Sequence, residues 1–283
     1  MEIIRIPALR SPRMIVAFGG WNDAGEAASA ALTHLLDMGE SAAHQPIAVF
    51  DAEDFYDFQV NRPIVSTNSV RGREISWPTT HVYGLSTPKF SFDLVLVAGP
   101  EPSMKWKTFA RELLDLADDL DVSMIISLGS LLADIPHTRP ITVTASGATP
   151  EIAHRLKVAV SDYQGPTGIL GAIQDTALRR GIDAISLWAA IPHYASITPS
   201  PKATLALINA LEDFLDVSIP QTDLPDMARS WEIAVDELAS EDSDIADYVR
   251  QLESTRDETD LPEASGDSIA RDFERYLRRK ESE

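Results

Sequence analysis

The sequence predicts a three-layer α/β/α sandwich carrying a C-terminal helical extension. Three observations point to it. Short apolar runs without polar breaks alternate with amphipathic helical stripes as far as residue 216, the pattern of buried parallel strands joined by crossover helices. Glycine and proline punctuate the joints, as at Gly19-Gly20, Gly99-Pro100 and Gly165-Pro166, where a strand gives way to a helix over a few residues. Beyond Pro220 only helical periodicity remains. The chain therefore divides into an α/β core over 1–219 and an acidic helical extension over 220–283.

The core is organised around its first strand–turn–helix corner. Residues 14–18, MIVAF, are an apolar run suited to a strand covered on both faces. Gly19 and Gly20 turn the chain sharply and admit a close neighbour to its backbone. Asp23 is an N-cap, and Glu26 makes a box-like pair with it. The following helix carries Ala24, Ala27, Ala28, Ala31, Leu32 and Leu35 on a small-residue face and ends near Gly39. Such a corner directs amide donors to the carboxyl edge of a sheet, where α/β folds bind ligands. The glycine spacing matches no phosphate-binding fingerprint, and the Asp23 carboxylate opposes an anion. A turn and a cap with no chemistry is the other reading.

Residues 47–50 form a second strand and lead into DAEDFYDF at 51–58. Asp51 and its neighbouring acids are the oxygen ligands a hard cation needs, or else helix caps. Residues 64–83 alternate as an antiparallel excursion with turn chemistry at 70–73, and Arg62, Arg71 and Arg73 make a basic cluster there. A strand over 92–98 closes on Gly99-Pro100-Glu101-Pro102, and a helix over 103–120 stripes Trp106, Phe109, Leu113 and Leu116 on one face. A strand over 122–128 follows, with Gly129 to Leu132 turning out of it. Ser130 lacks the second glycine of a nucleophile elbow.

The loop 134–140 sets His137, Thr138 and Arg139 between Pro136 and Pro140. A stiffened His/Arg pair suits a carboxylate or phosphate, although a surface turn answering local acids has the same composition. A strand over 141–144, a helix starting at 149–151 and a second glycine loop at 164–171 come next. Thr167 is the expected cap of a helix that runs to Arg180 and stops at Gly181. The last core strand, 184–191, ends in Pro192-His193-Tyr194, and a helix over 201–215 completes the core. In the extension, Trp231, Val235 and Leu238 share one face and Ile245, Tyr248, Val249 and Leu252 another. A polar break over 254–265 precedes a final stripe of Ile269, Phe273, Tyr276 and Leu277.

The formal charge of -20 on 283 residues opposes nucleic acid and anionic membranes as partners. Residues 221–283 hold 19 acids and 8 bases, a net -11 that is over half the excess. With no cysteine, disulfides, thiolate metal sites and a thiol nucleophile are excluded. Neither a signal-peptide pattern nor an apolar run of membrane-spanning length is present, so a cytoplasmic protein is expected.

Taken in order, FGGWNDAG at 18–25, DAEDFYDF at 51–58 with Arg62-Pro63, GPEP at 99–102, PHTRP at 136–140, GPTG at 165–168, PHY at 192–194 and PSPK at 199–202 resemble the bacterial branch of the proteasome assembly chaperone 2 family. The resemblance covers residues 1–216 and much of the acidic tail. It implies a phosphorylase/hydrolase-like α/β fold. Eukaryotic members are assembly chaperones that help proteasome α-subunits form rings, and the resemblance transfers neither a client nor a catalytic residue. Two functions are therefore expected. One is a non-catalytic assembly-chaperone-like or protein-interaction role with a protein partner and self-association as a homo-oligomer, a trimer. The alternative is a nucleoside- or phosphate-type binder or hydrolase/phosphorylase-like enzyme using a strand-end cleft. The cleft would draw on Gly19, Gly20, Trp21, Asn22, Asp23, Asp51, Glu101, His137, Arg139 and His193. No catalytic residue, cofactor or metal is assigned.

Overall fold

The computed structural model describes residues 1–39, 45–68, 72–195 and 197–260. Its first elements are β1 (Glu2–Ile3), β2 (Arg13–Gly19), α1 (Ala27–Asp37), β3 (Ala48–Val49) and α2 (Ala52–Phe55). Strands β4 (Ile64–Asn68), β5 (Gly72–Ser76), β6 (His81–Leu85) and β7 (Leu94–Pro100) follow, then α3 (Trp106–Asp119) and β8 (Met124–Ala133). Next come β9 (Val143–Gly147), α4 (Pro150–Leu156), β10 (Ala159–Val160), α5 (Ile169–Arg180) and β11 (Asp183–Pro192). Three helices end the described chain: α6 (Pro201–Leu215), α7 (Leu224–Glu241) and α8 (Ser243–Asp260).

The predicted sandwich is present as a large central sheet flanked by helices. Nine strands run in the order β1-β3-β6-β7-β2-β8-β11-β9-β10. Strand β2 lies parallel to both neighbours, with Val16 opposite Val97 of β7 and Ser127 of β8. Met14 to Phe18 are buried without exception, which is why that run shows no polar alternation. Strands β1, β3 and β6 add an antiparallel margin; of the excursion predicted over 64–83, β4 and β5 form a separate two-stranded antiparallel sheet, whereas 81–83 belong to β6 of the central sheet.

The chain packs as two compact units. The first comprises Met1–Asn22, Leu32–Leu128 and Ala145–Ser186. Its core holds a cluster of aromatic rings, with Phe109 stacked on Phe50 at 4.0 Å and edge-on to Phe18 and Phe55 at 5.8 and 5.4 Å. The N-terminal segment is fastened to this unit through Asp93, which accepts the Arg10 backbone amide (2.8 Å), the Arg10 guanidinium (2.6 Å) and the Thr87 amide (2.9 Å). Burial alone would raise the Asp93 carboxyl, but these donors outweigh it and hold the group down at about 2. The second unit comprises Asp23–Ala31, Gly129–Thr144 and the chain from Leu187 onward.

Three departures from the sequence reading have physical causes. Gly129 does not turn the chain out of β8, which continues through Leu132. A Cβ at Gly129 would stand 2.6 Å from the Trp188 ring, so this glycine makes room inside a strand. The polar stretch 254–260 belongs to α8, and Asp257 within it is drawn into an ion pair described below. A short strand, β10, also pairs in parallel with β9. The stripe at 269–277 and the turn residues 70–71 fall outside the described residues. No helix among the described residues is long and apolar enough to cross a membrane.

Candidate functional site

The cleft residues fall into two groups, one within each unit. In the first unit, Gly19 ends β2 and its carbonyl accepts the Glu101 amide at 2.8 Å. Gly20 takes φ +124, and an added Cβ would meet only the Glu101 Cβ, at 3.7 Å; the backbone angle, more than crowding, demands glycine there. The next residue, Trp21, is 66% exposed, whereas Asn22 is buried. Asn22 Nδ2 donates to Glu101 Oε1 at 2.8 Å, and the same oxygen accepts the Ile169 amide, also at 2.8 Å. Glu101 thus caps α5 from a distant loop. The expected cap, Thr167, does not do so: the N-cap residue is Gly168, which has no side chain to offer. A Cβ at Gly168 would lie 2.6 Å from both Asn22 and Glu101, so the second glycine loop is shaped to let this amide–carboxylate pair reach the helix. Asp51 caps α2 by accepting the Glu53 amide at 2.8 Å, a local helix-cap role.

In the second unit, Asp23 is an N-cap with a longer reach than the box motif implies. A 3-10 turn at Ala24–Glu26 intervenes, and Asp23 accepts the amides of Ala28 (2.8 Å) and Ser29 (3.1 Å) and the Ser29 hydroxyl (2.5 Å). Glu26 supplies its backbone amide to Asp23 instead of completing a box. Burial pushes the Asp23 carboxyl up against the pull of these hydrogen bonds. The first free amides of α1 are therefore occupied by the protein's own carboxylate. Ser130 is buried and donates to the Ala24 carbonyl at 2.8 Å, which commits its hydroxyl to the corner.

His137 is fully buried between two elements of the same unit. Its backbone amide donates to the Tyr194 oxygen, its Nδ1 lies 2.8 Å from that oxygen, and its Nε2 lies 3.1 Å from Asp236 on α7. The arrangement that satisfies every atom has the phenol donating to Nδ1 and Nε2–H donating to Asp236. Burial, with Glu253 and Asp236 nearby, raises the Tyr194 phenol to about 12, so it stays a donor at neutral pH. Lys202 bridges the His137 carbonyl and Glu232. Arg139 grips α8 through a two-pronged contact with Asp257 (2.8 and 2.7 Å) and a bond to Glu253 at 3.2 Å, which raises the guanidinium pKa and lowers that of Asp257. His193 Nδ1 lies 3.1 Å from Asp134, which also accepts the Tyr248 hydroxyl at 3.0 Å. The rings of His137 and His193 both contact Tyr194, at 5.7 and 5.8 Å.

Sequence reasoning found the loop side of these contacts and missed the helix side: Glu232, Asp236, Glu253 and Asp257. A signal was present in their spacing. Each pair stands four residues apart, so its carboxylates share a helix face and repel one another unless a cation answers them. Lys202 answers the first pair through Glu232, with the His137 ring hydrogen-bonded to Asp236, and Arg139 answers the second. No cluster that could hold a metal ion occurs among the described residues.

The PAC2 family model matches residues 17–239. A PAC2 family protein from Streptomyces avermitilis is 48% identical over 84% of this chain and 99% of its own, with a TM-score of 0.76. A Mycobacterium tuberculosis proteasome-assembly chaperone homologue is 43% identical over 83% of this chain and 99% of its own, with a TM-score of 0.73. PbaB, an archaeal proteasome activator from Pyrococcus furiosus, shares the fold at 19% identity and a TM-score of 0.66, over 84% of this chain and 97% of its own. No curated protein matches the sequence.

Proposed function

The chain belongs to the PAC2 family, and from that premise we propose that it is a non-catalytic, assembly-chaperone-like protein acting through protein–protein contact. One observation supports this reading above the rest. The side chains best suited to acid–base or anion chemistry in the second unit are held by carboxylates of its own C-terminal helices: His137 by Asp236, and Arg139 by Glu253 and Asp257. They act as docking posts for α7 and α8. Helix α7 in turn leaves Ile233 exposed among acids, and Met227 and Leu238 exposed beside its buried stripe, apolar side chains that a protein partner would cover. The proposed setting is the cytoplasm, and the proposed state a homo-oligomer, a trimer. Proteasome subunits, named by the mycobacterial homologue, are the first clients to test.

Isolated proteasome subunits mixed with the purified chain are expected to assemble faster on native gels. Arg139→Glu, which replaces the grip on α8 with repulsion, should reduce that effect at least severalfold. If the subunits neither bind nor assemble faster, the chaperone reading fails. A rise of several degrees in melting temperature with nucleosides or phosphate would favour a small-molecule site instead.

A further inference from the structure

Helix α8 is held to its unit more by charge than by apolar packing. Of its side chains over 243–258, only Val249 is buried, with Ile245, Tyr248 and Leu252 half-buried. Its polar hold runs through the loop 134–140. Arg139 takes Asp257 with two prongs and Glu253 with one, the Thr138 hydroxyl donates to Glu253, and the Tyr248 hydroxyl donates to Asp134. The Tyr248 ring stands edge-on to those of His193 and Tyr194, at 5.5 and 6.1 Å. A helix in a protein draws most of its stability from a packed apolar face, and a segment with few buried contacts opens at low cost. The loop, by contrast, is fixed without α8. His137 is fully buried, its amide and ring meet Tyr194 and Asp236, and its carbonyl accepts Lys202. The surface that receives α8 is thus built independently of the helix that fills it.

Asp242 is the single non-helical residue between α7 and α8, extended at φ -118 and ψ 116. Its carboxylate caps α8 by accepting the Asp244 and Ile245 amides at 2.8 and 3.4 Å. Rotation at this one residue carries the whole of α8 off its own loop with the helix intact, and short hinges of this kind are where exchange between copies arises. We propose that α8 of one copy seats on the 134–140 loop of a second copy of this chain, with Glu253 and Asp257 gripped there by Arg139. Charge and fit name the occupant. A chain of net charge -20 repels a helix with acids one turn apart over most of its surface, whereas this loop already holds that very sequence. The inference rests on the proposed self-association and names its contact. Each copy gives one helix and receives one, so a closed ring leaves no loop unfilled. Exchange keeps every contact of α8 and gives up only the high effective concentration of a helix tethered beside its own loop. Association is therefore concentration-dependent.

The test is light scattering of full-length variants, alone and mixed, with circular dichroism to confirm that each is folded. The intact protein is expected at a multiple of 31.0 kDa and should dissociate on dilution. Arg139→Glu in one chain, and Glu253→Arg with Asp257→Arg in another, should each weaken association by about tenfold or more, because like charges then meet at the loop. Neither variant can seat α8 on its own loop or on that of an identical copy. Mixed in equal amounts, the two should regain mass. The acidic helix of the first then meets the unchanged Arg139 of the second, and the reversed helix of the second meets the reversed loop of the first. All three substitutions in one chain should restore the behaviour of the parent. A monomer at every concentration would end the self-association reading and the exchange with it. An oligomer indifferent to both variants would overturn the exchange while leaving self-association standing. Weakened variants that stay apart when mixed would also overturn it, because α8 would then seat only on its own loop.

Discussion

Glu101→Ala is the sharpest perturbation of the first unit. One carboxylate oxygen receives both the Asn22 side-chain amide and the Ile169 backbone amide, each at 2.8 Å. Asn22 and Ile169 are both buried, so removal of the carboxylate leaves two buried donors without their acceptor. A buried donor left unsatisfied costs about 1–3 kcal/mol, and a bond to a charged acceptor contributes at the upper end of the usual range. The loss of two such bonds, one of which caps α5, predicts a destabilisation of about 3–5 kcal/mol. Glu101→Gln keeps a carbonyl oxygen in place and should cost only about 1–2 kcal/mol. Urea denaturation followed by circular dichroism measures both, and the midpoint should fall without a change in slope. The double variant with Asn22→Ala should be less damaging than the sum of the singles, since the pair shares one bond. A Glu101→Ala protein within about 0.5 kcal/mol of the parent, the range of an ordinary surface change, would refute the structural role and reopen the carboxylate to ligand chemistry.

Asp93→Asn tests the anchor of the N-terminal segment. A carboxyl held at about 2 against an ordinary 3.8 stabilises the folded state above the unfolded value and loses that contribution as pH falls through the folded one. The window is therefore roughly pH 4 down to 2, with about 2 kcal/mol at stake. The variant should be weaker at pH 7 and lack that part of the acid slope in pH-dependent urea melts; an unchanged slope would show the anchor to be ineffective. Gly129→Ala places a methyl 2.6 Å from the Trp188 ring and should cost about 1–3 kcal/mol by overpacking, with a shift in tryptophan emission. A neutral result would mean that the strand accommodates the methyl and that the glycine is not required for packing.

What the sequence disclosed was local. The unbroken apolar run at 14–18 gave β2, Thr149 beside Pro150 gave the start of α4, and Gly181 with φ +74 gave the stop of α5. Each of these signals acts within a few residues. Most of the failures were partnerships across long sequence separations. Gly129 reads as a turn until Trp188 is known to lie over it. Thr167 reads as a cap until Glu101 arrives from 68 residues away. His137 and Arg139 read as a free pair until two acidic helices close on them. The helix-side acids were the most recoverable of these, because two carboxylates one turn apart ask for a cation somewhere in the chain.

The second unit is stitched from stretches distant in the chain, and this has a consequence during synthesis. Asp236 follows His137 by 99 residues, and Asp257 follows Arg139 by 118. At roughly 5–20 residues per second, the ribosome needs several seconds or more to deliver those counterparts after the loop has emerged. Throughout that interval the Pro136–Pro140 loop stays hydrated, its imidazole and guanidinium bare. Closure of this half of the molecule is thus a late event in biogenesis, reached only when the last helices leave the exit tunnel.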